Sequence, residues 1–305
     1  MKKIAIQGIK GSFHHIVANK YFGEDIALSE CLTFDEMPNL LLNKKVDYLI
    51  MAIENSIAGA ILANYKLIDQ FNLNIVGEYY LPIQHQLMAL ENQNLSQIKE
   101  IWSHPMAINQ CRNFLRKHPN IKLIEAEDTA VVAKNIKENN LNGIAAIAGK
   151  LAAELYDLPI LKANIHTNPQ NYTRFFIVDT NSYKKDTFNK VSLKIITKHQ
   201  MGSLSEVLQI FVNNRINLTK IQSLPIENDP WEYAFFIDVI FKETSDFFNA
   251  KTQLEANQIQ VKILGKYHNM KKNGSTTNLV ESKSEMSFRQ NEARMTRNLK
   301  GNNKY

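Results

Sequence analysis

The run Asn171-Tyr172-Thr173-Arg174-Phe175-Phe176 sets a hydroxyl beside a permanently charged, planar guanidinium. Thr173 can donate a hydrogen bond to a leaving oxygen. Arg174 is a fork suited to a carboxylate, although an ordinary surface arginine on a strand reads the same way. Glu54-Asn55-Ser56 follows an almost continuous apolar run. Ligands of open α/β folds gather at strand carboxyl ends, while simple capping of the next helix is the competing explanation. Gly8-Ile9-Lys10-Gly11-Ser12 is a strand-to-helix turn whose amides could face an anion. It matches neither the dinucleotide fingerprint nor the P-loop, and a tight turn with a serine cap explains it equally well. Ser103-His104-Pro105 opens a helix carrying Gln110 and Cys111. His104 there is an acid, a base or a cap, and Cys111 beside Phe114 and Leu115 reads as packing. The eight histidines show no pair at metal-ligand spacing, so no metal is expected.

These residues need a scaffold. From residue 1 to about 180, short apolar runs alternate with helical patterns. Ile4–Ile6, Val46–Ile53, Leu73–Val76, His85–Leu90, Ile101–Ser103, Gly143–Ala148 and Thr173–Val178 read as strands. Helices are expected at Ile16–Tyr21, Ile61–Phe71, after Pro105, at Ala130–Glu138 and at Lys150–Tyr156. This is an α/β chain with two lobes around a cleft. Residues 181–190 are polar and read as a linker. Beyond it, strand, helix, strand, strand, helix and strand follow in the ferredoxin-like order, an edge-exposing unit of about 80 residues that pairs readily with a copy of itself.

Composition narrows the classes further. With 44% hydrophobic and 22% charged residues in 305, the chain has enough apolar mass for a packed core. No run reaches the ~18–20 apolar residues of a membrane span, and the first eight residues lack the apolar core of a secretory signal. Two cysteines, Cys31 and Cys111, without C-x-x-C spacing argue against zinc fingers and disulfide frameworks; a cytoplasmic location is the default. Of the net charge of +6, residues 271–305 account for +5, from eight basic and three acidic residues. The body therefore lacks a basic face for nucleic acid, and the Asn/Ser/Thr-rich tail at 269–305 is expected to be disordered.

Taken together, GIKGSFHH (8–15), AIENSIAGAI (52–61), SHPMAINQC (103–111), EDTAVVAK (127–134), AAIAGKLAAELYDL (145–158) and NYTRFF (171–176) resemble the prephenate dehydratase family, in the family's order across residues 1–180. Residues 191–268 resemble the ACT regulatory domain, with HQMGSLSEVL (199–208) and KIQSLP (220–225) at its ligand segments. The sequence departs from the family at Ile9, Ala52 and Met106, and, in a ligand motif, at Gln222 and Leu224.

The resemblance implies a catalytic domain like the type II periplasmic-binding-protein folds, followed by a βαββαβ ACT domain. It implies conversion of prephenate to phenylpyruvate with loss of carbon dioxide and water, without a cofactor because aromatisation drives the reaction. By the same resemblance Thr173 would donate to the departing hydroxyl, with Glu54, Asn55 and Gln110 orienting substrate. Gly11, Ser12, Ser56, Arg174 and Phe175 would bind it. Phenylalanine would bind between paired ACT domains of a homodimer or homotetramer at Gly202, Ser203, Leu204, Asn217, Leu218, Gln222, Ser223, Leu224 and Pro225. Truncation near residue 185 is then expected to leave activity and remove the phenylalanine response. Arogenate in place of prephenate, and a non-catalytic two-lobed amino-acid sensor, are the competing readings.

Overall fold

The computed structural model describes residues 1–180, 187–198, 200–226 and 229–270. The expectations for the rest of the linker and for residues 271–305 lie outside these. Met1–Met270 form one compact unit.

The first lobe runs β1 (Lys2–Gln7), α1 (Phe13–Phe22), β2 (Ile26–Cys31), α2 (Met37–Leu42), β3 (Tyr48–Asn55), β4 (Gly59–Ala60), α3 (Leu62–Gln70) and β5 (Asn74–Pro82). The apolar run in β3 has the cause its sequence suggests, since both faces are covered. Leu49, Met51 and Ile53 enter one core, while Ile50 and Ala52 enter the core under α1.

The second lobe holds β6 (Gln86–Met88), β7 (Glu100–Ser103), α4 (Pro105–Gln110), α5 (Arg112–Leu115), β8 (Lys122–Glu125), α6 (Thr129–Glu138), β9 (Ile144–Ala148), α7 (Lys150–Leu155) and β10 (Ile160–Lys162). The chain then returns as β11 (Tyr172–Asp179). The first-lobe strands lie in the order β2-β1-β3-β11-β5, and the second-lobe strands in the order β8-β7-β9-β6-β10. The two orders are the same. In each lobe, the strand that has just crossed from the other lobe inserts antiparallel beside the third strand. This is the two-lobed architecture that the resemblance implies. The crossings are bonded to each other, from Ile83 N to Asn171 O at 2.8 Å and from Ile165 N to His85 O at 2.9 Å.

The C-terminal part is β12 (Lys190–Ile196), α8 (Ser203–Asn213), β13 (Asn217–Ile226), β14 (Asp229–Ile240), α9 (Thr244–Ala256) and β15 (Gln260–Tyr267), with strand order β13-β14-β12-β15. Val207, Phe211, Phe247 and Leu254 of its helices cover one face of this sheet. The other face does not meet solvent. Leu224, Ala234, Phe236, Leu264 and Tyr267 share a core with Tyr65 and Phe176 of the first lobe. Backbone pairing continues across the junction, where Gly265 of β15 faces Ile75 of β5. A Cβ on Gly265 would lie 2.2 Å from the Ile75 carbonyl oxygen, so only glycine permits this approach.

Two expectations are corrected by this junction. Lys190, taken as the last linker residue, is a buried strand residue whose ammonium reaches both Glu78 carboxylate oxygens at 2.9 Å. Leu224, taken as part of a phenylalanine pocket, is buried in the shared core, because the inner face of β13 lies against the first lobe.

Candidate active site

At the carboxyl end of β3, Asn55 organises the site. Its side-chain oxygen accepts from the amides of Ile57 and Ala58, both at 2.9 Å, which closes the turn after the strand. Its Nδ2 donates across to β11, to Asn171 Oδ1 at 2.8 Å and to Thr173 Oγ1 at 3.0 Å. Thr173 pairs directly with Asn55 in the ladder, so the two residues meet by register. Ser56 secures the same corner, with Oγ accepting from Tyr172 N at 3.0 Å and donating to Gln170 O at 3.2 Å. These bonds make Ser56 a clasp on the returning chain.

Gln110 ends α4 and is nearly buried. Its Oε1 lies 2.8 Å from Nε2 of His85, which sits on the first crossing and packs edge-on against Phe13 at 5.5 Å. Burial pulls His85 down to about 4, reinforced by His166 and opposed by the bond to Gln110. The ring is therefore neutral at pH 7. With Oε1 accepting the Nε2 proton, the amide N–H groups of Gln110 remain as donors. His85 is absent from the sequence-level candidates, and a lone histidine in a polar tripeptide gives no signal. Only the fold brings it against Gln110.

The Gly8–Ser12 turn is not an open anion cradle. The Lys10 amide goes to Glu30, the Gly11 amide to His15 Nδ1 at 3.0 Å, and the Ser12 amide to Ile9 O at 3.0 Å. Ser12 Oγ caps α1 by accepting from His15 N. The turn is pressed onto the second lobe. A Cβ on Gly11, at φ +93°, would meet Ala152 Cα at 3.1 Å, and Tyr156 Oη donates to Lys10 O at 2.6 Å. Gly11 and Lys10 thus sit at the contact between the lobes, Ser12 caps α1, and the amides of residues 10–12 are already bonded within the protein. His104 is a cap, with Nδ1 accepting from Met106 N. Cys111 is buried between α4 and α5, and desolvation pushes its thiol up to about 12, away from the thiolate a nucleophile needs.

Three further candidates are engaged with other partners. Phe175 is fully buried, its ring 5.0 Å from that of His14 in the core under α1. Arg174 is only 4% exposed and each of its nitrogens donates inside the protein, Nε to Glu78 (2.8 Å), Nη1 to Asp238 and Nη2 to Tyr267 (3.0 Å). Glu54 joins Arg174, and not Asn55, because the register slips there. Arg174 pairs with Glu54 but Phe175 with Ala52, which leaves Ile53 as a bulge. The Glu54 carboxylate lies 3.8 Å from Arg174 and 3.0 Å from Lys220 of β13. Arg174, Phe175 and Glu54 are thus engaged with other partners. Thr173, Asn55 and Asn171 meet at one corner, where Asn171 Nδ2 is buried without a partner, and Gln110 pairs with His85 on the first crossing.

Among the expected regulatory positions, Ser203 lines two cavities of about 310 and 470 Å³. The larger is walled by Thr197, Lys198, Gln200, Met201, Ser203, Tyr233 and Phe235. Gly202, at φ +87°, starts α8 beside it, and Leu204 is half-buried on that helix. Asn217, Leu218, Gln222, Ser223, Leu224 and Pro225 run along β13 and line neither cavity. Among the described residues no group of three His, Cys, Asp or Glu side chains is placed to hold a metal ion.

The model of the family described as prephenate dehydratase matches residues 4–183. A bifunctional chorismate mutase/prephenate dehydratase of Buchnera aphidicola subsp. Acyrthosiphon pisum (strain APS) is 34% identical over 266 residues, covering 85% of this chain and 69% of the relative. The solved prephenate dehydratase from Staphylococcus aureus subsp. aureus Mu50 superposes with a TM-score of 0.77 at 25% identity, covering 87% of this chain and 99% of that one. A structure described as GqqA, a novel type of quorum quenching acylase, matches with the same TM-score, 0.77, and identity, 25%, over 87% of this chain and 97% of its own. A prephenate dehydratase in complex with L-Phe from Arthrobacter aurescens shares the fold, with a TM-score of 0.78 at 24% identity over 98% of this chain and 99% of that one.

Proposed function

The chain belongs to the prephenate dehydratase family, and from that premise we propose that it converts prephenate to phenylpyruvate, with Thr173 as the donor to the departing hydroxyl. The observation carrying this reading is the Asn55–Thr173 bond. Because Asn55 Nδ2 donates to Oγ1, the threonine proton is free to point outward. In the reaction the bond from the ring to its carboxylate breaks, its electron pair enters the ring, and the ring C–O bond breaks with the oxygen leaving as hydroxide, which takes a proton from solvent to become water. A preorganised donor at that oxygen lowers the barrier without changing its own protonation state. The substrate's two carboxylates need donors, and with Arg174 occupied these fall to Gln110 and to Asn171 Nδ2. Neutral His85 keeps the Gln110 amide oriented.

The C-terminal βαββαβ unit is read as an ACT domain, with phenylalanine in the larger cavity. Lys198 there offers a cation for the amino-acid carboxylate, and Tyr233 and Phe235 an aromatic wall for the ring. The sheet ends at β13, an edge strand available to a second copy, which supports a homodimer or a larger assembly. A cytoplasmic enzyme acting without nucleic acid or membrane partners completes the reading.

The test is phenylpyruvate formation from prephenate by the purified 305-residue chain, with arogenate and an acylated test substrate as competing substrates and with and without phenylalanine. Turnover of prephenate that Thr173→Ala abolishes supports the assignment. Turnover of arogenate alone, or acyl release alone, would replace it, and folded protein without turnover would point to the sensor.

A further inference from the structure

Two anions and two cations are buried together where the first lobe meets the C-terminal sheet. Glu78, Arg174, Lys190 and Asp238 are each 4% exposed or less and come from β5, β11, β12 and β14. Lys190 binds Glu78, and Arg174 binds Glu78, Asp238 and the Tyr267 hydroxyl. Ser192 bonds to Asp238 Oδ1 and lies 2.6 Å from Tyr267 Oη. The Met270 amide adds a bond to Glu78. Each of the three nitrogens of Arg174 thus donates to a neighbour, and the neighbours come from two parts of the chain.

Such a cluster is an inefficient way to gain stability. Desolvating each ion costs several kcal/mol, and apolar side chains of similar volume fill such space at least as well. What the cluster supplies is direction. Arg174 adjoins Thr173 in β11, and the ladder slips between Arg174 and Phe175. At this bulge the backbone pairing with β3 is locally broken, while β5 pairs with Tyr172–Ile177 without a slip, so side-chain bonds add the hold that the β3 side lacks. The Arg174 clamp holds that end from one face, and Asn55 holds Thr173 from the neighbouring strand.

We propose that Arg174 is a positioning residue, through which the C-terminal sheet, by Asp238 and Tyr267, sets the place of the Thr173 hydroxyl. A shift of that sheet against β11 pulls on the guanidinium and is felt as lost turnover, with substrate binding largely kept. The link gives an effector bound on the C-terminal unit a short covalent path, one peptide bond, from the buried cluster to the reacting hydroxyl. It rests on the reading of Thr173 given above.

The experiment compares full-length wild type with Tyr267→Phe, Asp238→Asn and Arg174→Lys in prephenate turnover, and follows amide hydrogen exchange over residues 171–176. Tyr267→Phe removes one hydroxyl at constant shape and keeps the test alive if Asp238→Asn does not fold. The expected result is a kcat lower by roughly 10–100-fold, the range for a small misplacement of a reacting group, with KM changed by less than about threefold and faster exchange over 171–176. A raised KM at unchanged kcat in Arg174→Lys, with Tyr267→Phe like wild type, would make Arg174 a substrate ligand and overturn the proposal. Exchange over 171–176 that Tyr267→Phe leaves untouched would overturn it as well. Wild type inactive on prephenate would remove the proposed reaction, while the exchange data would still decide whether the clamp positions Thr173.

Discussion

The side-chain amide of Asn55 donates to the hydroxyl of Thr173 at 3.0 Å, across neighbouring strands and a sequence separation of 118 residues. An amide N–H cannot accept, so the threonine oxygen is the acceptor in this pair and its own proton is left for a substrate. Thr173→Ala is therefore expected to lower kcat by ~10²–10³ while leaving the melting temperature nearly unchanged. Thr173→Ser should keep much of the rate. Steady-state phenylpyruvate formation checks both, and equal rates for alanine and wild type would remove Thr173 from the chemistry.

The same geometry predicts an unusual effect of Asn55→Asp. A carboxylate at 55 still accepts from the Ile57 and Ala58 amides, so the turn survives. It can no longer donate to Thr173, and instead draws the threonine proton inward. Turnover should fall by about the same ~10² as for loss of the hydroxyl. Normal activity in the aspartate variant would show that the orientation of the Thr173 proton is immaterial.

Acid should destabilise the fold through His14. Its ring is buried between Phe34 and Phe175, with Nε2 unpartnered, and desolvation pulls it down to about 3. His85 lies at about 4. A histidine whose folded pKa is depressed stabilises the fold fully above its unfolded value of ~6.5, and the contribution is lost as pH falls towards the folded value. Within that window the unfolded chain binds more protons, at about 1.4 kcal/mol per pH unit for each ring. The melting temperature should thus drop between pH 6.5 and 4, and His14→Gln should flatten that slope. A profile identical in the variant would count against burial of an ionisable ring there.

Truncation near residue 185 should destroy more than the phenylalanine response. It would expose Tyr65 and Phe176, which share a core with Leu224, Phe236 and Tyr267, and would leave Arg174 and Glu78 without Asp238 and Lys190. Breaking a buried ion pair by removing one partner costs ~3–5 kcal/mol, before any loss of apolar contact. The truncated chain is expected to aggregate or to melt well below the full-length protein. A stable, fully active fragment 1–185 would show the junction to be dispensable. This reverses the expectation from sequence, which treated the two parts as separable.

Local order was written in the chain. The six ordered segments, the strand and helix alternation to residue 180 and the βαββαβ rhythm after it depend on periodicity and on caps such as Ser12 and Asp128, which neighbours in sequence supply. Thr173, Asn55 and Gln110 could be named as candidates for the same reason, since they lie inside those segments. What tertiary structure decided was direction. A strand alternates its side chains between two faces, and one bulge at Ile53 put Glu54 beside Arg174, although it adjoins Asn55 in sequence. The faces were then assigned by partners 64 to 112 residues away: Asp238 and Glu78 took the Arg174 and Lys190 charges that sequence reading had left free or in a linker. Leu224 turned inward because the first lobe covers that face of the sheet, and His85 gained a partner when the crossing brought it to Gln110. Residue type and local spacing determine which groups are available; only packing across the chain determines which of them remain free to meet a substrate.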